Sequence, residues 1–201
     1  MLATDIVRLH NINGRNTFPF DMEDCVLYLP LGQEDMQGST IISYDQYHHS
    51  CAVTGATWSP DGRTFAGAGF ITITSALTQL AATTKGTFNC WIEVPDATPA
   101  ANMVFFGFGD TDANTHINLK IVTTGVVYAT MNLAGGLWTV YTNSAALTDA
   151  TSAMVTVVQN GIVPVLYING VAPAQTSTGT KDKWFADAAG IDNGFIGKGY
   201  D

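Results

Sequence analysis

Glycoside hydrolysis needs two carboxyl groups close together, and this sequence offers few candidates for such a pair. On a β-strand, two carboxylates must be an even number of residues apart to lie on the same face. Glu93 is alone in its apolar stretch, and Glu34 and Asp35 are neighbours in a turn-like segment. Because no predicted strand carries carboxylates at alternate positions, the sequence predicts a protein that is not an enzyme.

The segment GDTDAN, residues 109–114, places oxygen ligands at alternate positions, on Asp110, Asp112 and Asn114. Ca²⁺ takes about six to eight oxygen ligands from carboxylates, amides and carbonyls. However, no glutamate follows to complete an acidic calcium loop, and these residue types are also good turn formers. A calcium site and a plain turn both remain open, with the turn favoured, and no other cofactor is predicted.

Sugar binding would need an exposed aromatic surface with polar groups nearby. The candidates are Trp138 and Tyr141 in GGLWTVYTN, Tyr128 in the strand before it, and Trp184. Trp138 and Tyr141 are an odd number of residues apart, so they lie on opposite faces of a strand. Most aromatic side chains in such a chain belong to the core. The sequence does not separate the two roles.

The three cysteines, Cys25, Cys51 and Cys90, are an odd number, which argues against a complete disulfide framework. Cys25 alternates with leucines, and Cys90 alternates with Phe88 and Ile92. Cysteines at such positions behave as small core residues. A catalytic thiol is therefore not predicted.

Apolar and polar residues alternate with a period of two along most of the chain, which indicates β-strands. Two strands flank Asn160-Gly161, because Asn-Gly suits a turn that needs positive φ at both central positions. Pro164 indicates an edge strand or a bulge, and residues 75–83 are the best helix candidate. The other main strand predictions are residues 25–31, 51–58, 70–74, 87–94, 103–109, 115–122 and 125–133. The sequence thus predicts an all-β sandwich of two antiparallel sheets.

Five stretches, in this order along the chain, resemble the concanavalin A-like jelly rolls, in particular the laminin-G-like modules. They are DCVLYLPLGQED, YDQYHHSCAVTGATWSPDGRTFAGAGFITI, GTFNCWIEVPD, VPVLYINGVAPAQT and GFIGKGYD. The resemblance covers residues 24–201 and implies a concanavalin A-like jelly-roll β-sandwich. Relatives of this kind include glucanases, lectins and structural modules, and the Glu-x-Asp-x-x-Glu strand of the glucanases is absent here. The fold alone does not decide the function.

Family members usually continue past a segment like GFIGKGYD into a closing strand beside the first strand. Here the segment ATDIVRLHNIN, residues 3–13, at the other end of the chain, has a sequence pattern similar to that closing strand. The resemblance therefore implies that residues 5–11 supply this strand next to residues 25–31. The expected organisation is an N-terminal arm, residues 1–20, followed by one jelly-roll domain, residues 21–201. A chain cut at this point, or an arm docked elsewhere, remains an alternative.

The chain is acidic, with a net charge of −9 and only eight Lys and Arg residues, so nucleic acid is not an expected partner. No apolar run approaches the length of about 18 residues that spans a membrane. The opening segment lacks the apolar stretch of a secretory signal. This predicts synthesis in the cytoplasm, or a chain that is one piece of a larger protein.

Two functions remain open. The first is a structural protein of the virion surface, such as a bacteriophage capsid-decoration or tail component. It would assemble with other copies or with a capsid or tail protein. Its support is the low charged fraction, 12%, the absence of catalytic residues, and the use of this fold by phage structural proteins. The second is a lectin-like glycan-binding adhesion module outside the cell or on its surface, either dependent on calcium or independent of it.

Overall fold

The computed structural model describes residues 22–111, 115–133 and 137–199. The chain divides into two compact units, Met1–Ala76 and Leu77–Asp201. The predicted N-terminal arm and the predicted closing strand, residues 5–11, lie outside the described residues. The domain boundary near residue 21 therefore stays a prediction.

The described part of the first unit consists of short antiparallel strands and two single 3-10 turns. β2 pairs with β1 on one side and with β5 on the other, and β3 and β4 form a separate hairpin. Gly55, with φ +65°, divides the strand predicted over residues 51–58 into two. The strands are β1 (Thr40–Ile42), β2 (Ser50–Thr54), β3 (Thr57–Ser59), β4 (Gly62–Thr64) and β5 (Phe70–Thr72), and the 3-10 turns are Glu34–Met36 and Thr74–Ala76.

The strand predicted over residues 25–31 does not form, and that prediction is wrong. The backbone N–H of Tyr28 donates to Oδ2 of the buried Asp45 at 3.0 Å, and the Tyr28 carbonyl accepts from the N–H of Tyr44 at 2.9 Å. Oδ1 of Asp45 accepts a further bond from the N–H of Tyr47 at 3.0 Å. The buried Asp45 carboxylate therefore satisfies the N–H of Tyr28, a donor that would otherwise need a partner in a β-ladder.

The three cysteines are free thiols. Burial and the nearby Asp45 carboxylate raise the pKa of Cys51 to about 11, and burial raises the pKa of Cys90 to about 12. Burial likewise raises the pKa of Cys25. A thiol with a raised pKa is a poor nucleophile near neutral pH, which agrees with the structural role predicted for these side chains.

The described part of the second unit contains one short α-helix, a 3-10 turn at Phe185–Asp187 and two antiparallel sheets. The larger sheet runs in the order β14-β7-β8-β9-β10-β13, and the smaller sheet in the order β12-β11-β6. The predicted helix is reduced to one turn. The elements are α1 (Leu77–Leu80), β6 (Gly86–Val94), β7 (Met103–Gly109), β8 (Thr115–Ile121), β9 (Val127–Leu133), β10 (Trp138–Thr142), β11 (Thr151–Gln159), β12 (Pro164–Ile168), β13 (Gln175–Gly179) and β14 (Asn193–Ile196).

Turns form at Asn160-Gly161 and at Asn169-Gly170, but their backbone conformations differ. Asn169 and Gly170 have φ of +51° and +80°, as a tight turn with two positive angles requires. At the β11–β12 hairpin only Gly161 has positive φ, and Oδ1 of Asn160 accepts from the two N–H groups that follow the glycine. Pro164 begins β12, which lies at the edge of its sheet as predicted.

The two sheets of the second unit face each other across an aromatic core. Phe88 of β6 contacts Phe106 and Phe108 of β7, with ring centroids 4.3 and 5.6 Å apart. Trp184 and Phe185, from the loop between β13 and β14, pack on Phe88 at 5.3 and 5.9 Å. This arrangement is an antiparallel jelly-roll sandwich, and the predicted fold class is confirmed.

We expect Trp184→Ala to lower the free energy of unfolding by about 3 to 5 kcal/mol, because it removes a ring at the centre of this core. Urea denaturation measures the change. Ile162→Ala is the control, since Ile162 is 74% exposed in a loop and its truncation should cost less than about 0.5 kcal/mol. Equal losses in the two variants would contradict the account of the core.

Candidate functional site

On β8, β9, β10 and β13, the face of the larger sheet that points away from the aromatic core is polar. On β8, β9 and β10, every second residue is buried, and the residues between them point outward. The cross-strand register assigns residues of β13 to the same face. We call this set the polar face, and its members are His116, Asn118, Lys120, Tyr128, Thr130, Asn132, Thr139, Tyr141, Thr176 and Thr178.

One cross-strand row of the polar face consists of small polar side chains. Asn118 lies opposite Thr130, Thr130 opposite Thr139, and Thr139 opposite Thr178. Residues directly opposite each other on antiparallel strands have neighbouring side chains. The row is therefore a band of one amide and three hydroxyls, which can donate and accept hydrogen bonds.

The next row holds the aromatic candidates. Tyr128 lies opposite Tyr141, and their rings are stacked with centroids 5.0 Å apart and planes 18° apart. Lys120 lies opposite Tyr128, and Thr176 lies opposite Tyr141. Both tyrosines are partly exposed. The structure thus brings two of the predicted sugar-binding residues together and adds an ammonium group beside them.

Trp138 cannot belong to this surface, and its prediction as an exposed glycan-binding residue is wrong. It is 2% exposed and stacks on Trp184, with centroids 6.2 Å and planes 8° apart. Its Nε1 donates to the carbonyl of Lys183 at 2.9 Å. Trp138 is buried because of its place in β10. As the sequence predicts, Trp138 and Tyr141 point to opposite faces of the strand, and the side chain of Trp138 points toward the core. Trp184 is 1% exposed and is also a core residue.

Asn118 lies on β8, at the end of the row of small polar side chains, and has an unsatisfied acceptor. It is 6% exposed, and its Oδ1 has no hydrogen-bond partner among the described residues. An ideal Cβ built on Gly107 would lie 2.7 Å from this oxygen, so the glycine makes room for the amide. A buried polar atom without a partner is unusual in a folded protein. Its alternation with Ile117 and Leu119 places Asn118 on the outward face of β8, but no sequence motif marks it as functional.

The charge of the polar face differs from that of the chain. The protein has 17 Asp and Glu residues against eight Lys and Arg residues. None of the side chains that define the polar face is a carboxylate, whereas Lys120 provides a cation. Near this face an anionic group therefore meets less repulsion than over the rest of an acidic protein.

The predicted calcium ligands can be followed only in part. The N–H of Asp110 donates to the carbonyl of Thr115 at 2.9 Å, and Oδ1 accepts from the Thr111 hydroxyl at 3.2 Å. Asp112 and Asn114 lie outside the described residues. Within the residues that are described, no three His, Cys, Asp or Glu side chains form a group that could hold a metal ion. The calcium site stays a prediction.

In the described ranges, no helix has the length and apolar character needed to cross a bilayer.

Neither a protein-family model nor a curated protein matches the sequence. Solved structures with a similar fold include the CBM40 module of the Ruminococcus gnavus IT-sialidase, with TM-score 0.54 and 20% identity, over 64% of this chain and 72% of that chain. The same module bound to α2,3 sialyllactose gives TM-score 0.52 and 19% identity, over 62% and 70% of the two chains.

A mutant of the NanB sialidase from Streptococcus pneumoniae gives TM-score 0.57 and 17% identity, over 73% of this chain and 22% of that chain. At such low identity, these likenesses show the fold and do not assign an activity. They confirm the resemblance to the concanavalin A-like jelly rolls at the level of the fold.

Trp138→Phe should lower the free energy of unfolding by about 1 to 3 kcal/mol, because it removes the bond to the Lys183 carbonyl and part of a buried ring. Tyr141→Phe, which deletes one hydroxyl on the partly exposed polar face, should change it by less than about 0.5 kcal/mol. Urea denaturation of both variants provides the comparison. A larger loss for Tyr141→Phe would contradict the inner and outer assignment of β10.

Proposed function

We propose that this chain is a non-catalytic glycan-binding module, that its site is the polar face, and that it prefers glycans bearing a carboxylate. The observation that carries the proposal is the stacked Tyr128–Tyr141 pair with Lys120 beside it, on a face without acidic side chains. A module of this kind acts where glycans are displayed, outside the cell or on its surface.

Stacked tyrosines suit a sugar because a pyranose ring has an apolar face of C–H groups and a rim of hydroxyls. The C–H face packs on an aromatic surface, while the hydroxyls need polar partners. On the polar face those partners are the hydroxyls of Thr130 and Thr139 and the amide of Asn118, one row away from the tyrosines.

The charge pattern supports the acidic class. A sugar stacked on Tyr128 has the ammonium of Lys120 on the neighbouring strand, in the same row. A carboxylate that reaches this ammonium gains a charge-assisted hydrogen bond, which is stronger than a bond between neutral groups. The CBM40 module described above was solved with α2,3 sialyllactose, a carboxylate-bearing glycan, and this is consistent with the proposal.

The first function predicted from the sequence, a bacteriophage capsid-decoration or tail protein on the virion surface, gains no support from the structures named above. Those structures are of a carbohydrate-binding module and a sialidase. This favours glycan binding over virion assembly as the function of a non-catalytic module. Assembly with a capsid or tail protein has no specific observation behind it, and we do not propose it.

We expect the double substitution Tyr128→Ala and Tyr141→Ala to weaken binding of α2,3 sialyllactose at least about tenfold, because the stacking surface is lost. Isothermal titration calorimetry measures the affinity. Tyr167→Ala is a matched control, since Tyr167 is a partly exposed tyrosine on a strand of the smaller sheet. A fall of equal size in the control, or no binding of any glycan on an array by the unaltered protein, would overturn the proposed site.

Lys120→Ala tests the acidic preference separately. It should weaken binding of α2,3 sialyllactose about tenfold and leave the weaker binding of neutral lactose unchanged. Raising the salt concentration should reduce the difference between the two glycans, since exposed charges are screened. Lys85→Ala, which alters an exposed lysine before β6, is the control. Tighter binding of lactose would leave glycan binding intact and reject the acidic preference. The same titrations with a chelator test the dependence on calcium.

A further inference from the structure

A further polar side chain lies beside the stacked tyrosines, on the side away from Lys120. Asn143 directly follows β10, and its backbone N–H donates to the carbonyl of Ala174 at 2.9 Å, which extends the ladder with β13 by one residue. Tyr141 and Asn143 are two residues apart and therefore lie on the same face. Asn143 is exposed. It thus belongs to the surface around the tyrosines, next to the residues that define the polar face.

The amide of Asn143 is positioned by a hydrogen bond from β13. Its Oδ1 accepts from the hydroxyl of Thr176 at 2.8 Å. The backbone is fixed as well, because the hydroxyl of the buried Thr142 accepts from the N–H of Val127 at 3.2 Å and donates to the carbonyl of Ser144 at 2.7 Å. A ligand that binds this amide therefore has little further structure to order, which lowers the cost of binding.

Together, Asn143 and Thr176 offer a ligand donors and an acceptor. Because Oδ1 of Asn143 is engaged, the amide presents its Nδ2 donors, and no described residue accepts a hydrogen bond from them. The Thr176 hydroxyl uses its hydrogen on Asn143 and keeps a lone pair that can accept. An acylamino group on a sugar has one C=O acceptor and one N–H donor. Its two polar groups therefore complement the two protein groups.

The Asn143–Thr176 pair and Lys120 flank the stacked tyrosines. Lys120 lies opposite Tyr128, and Thr176 lies opposite Tyr141. Neighbouring strands are about 4.8 Å apart, so the backbones of β8 and β10 are about 10 Å apart. The long lysine side chain covers part of this distance, which leaves room for one substituted sugar ring. A carboxylate on one side of such a ring and an acylamino group on another can meet both partners at once.

We propose that Asn143, positioned by Thr176, is a specificity-determining residue that recognises an acylamino group of the ligand. The inference rests on the proposed function, glycan binding at the polar face, and narrows the ligand to a sugar that bears both a carboxylate and an acylamino group. In the complex, Nδ2 of Asn143 donates to the acyl carbonyl, and Oγ1 of Thr176 accepts from the acylamino N–H. A uronic acid, which has a carboxylate without an acylamino group, lacks these two bonds.

Two forms of one ligand test the proposal. They are α2,3 sialyllactose with its acetamido group and the analogue that has a hydroxyl in place of that group. Isothermal titration calorimetry gives the affinity for each form, and the ratio of the two affinities is the readout. The unaltered protein should bind the acetamido form about tenfold more tightly. Asn143→Ala should weaken binding of this form about tenfold and leave binding of the analogue unchanged, so that the ratio falls close to one.

Thr176→Val tests the second member of the pair, since valine keeps the branched shape of threonine and lacks the hydroxyl. It should lower the ratio at least about threefold. Asn89→Ala is the matched control. Asn89 is also exposed, and its Oδ1 also accepts from a threonine hydroxyl, that of Thr156 at 2.9 Å, but it lies on the smaller sheet. This control should leave the affinities for both forms unchanged.

Equal affinities for the two forms in the unaltered protein would overturn the inference, and so would an unchanged ratio in Asn143→Ala. If the double substitution Tyr128→Ala and Tyr141→Ala still weakens binding of both forms in those cases, the proposed function stands and only the recognition of the acylamino group fails. No binding of either form would overturn the proposed function and this inference with it.

Discussion

The rest of the second unit depends on the packing of one aromatic cluster between its two sheets. Phe88 lies against Phe108, and Trp184 fills the space between Phe88 and Trp138. Successive residues of a strand point to opposite faces, so fixing the inward side chains also fixes the outward ones. A slip of one residue in β9 or β10 would place Tyr128 or Tyr141 in the core and expose its buried neighbours. The aromatic core thus sets the composition of the polar face.

The register between strands then determines which outward residues become neighbours. Lys120, Tyr128 and Tyr141 belong to three different strands and form one row because β8, β9 and β10 are paired in sequence order. The side chains of this row point away from the core. The packing of the core therefore does not restrict their residue types, which can suit ligand binding.

The alternation of apolar and polar residues predicted most strands of the second unit. It failed where a residue distant in sequence determines whether a segment forms a strand. Residues 103–109 were predicted with the bounds that the structure has, since an apolar stretch there lies between clear turn residues. The stretch over residues 25–31 has a strand-like pattern, but the N–H of Tyr28 at its centre donates to the distant Asp45. β13, with the sequence QTSTG, lacks the apolar alternation that marks a strand, and its pairing with β10 provides the ladder instead.

The site was predictable to a similar extent. Tyr128 and Tyr141 could be chosen by residue type, and the opposite directions of Trp138 and Tyr141 follow from parity. Which of the two points outward could not be known without the position of Trp184, because that contact is distant in sequence. The unsatisfied Oδ1 of Asn118 depends on a glycine of the neighbouring strand, so no local motif reveals it.

The most direct test of the central claim is an NMR titration of the isotope-labelled protein with α2,3 sialyllactose, following each backbone amide. The account predicts that the largest shift changes fall on outward residues of β8, β9, β10 and β13, with Lys120 and Tyr128 among them. Shift changes confined to the smaller sheet or to the first unit, or none at millimolar ligand, would contradict it.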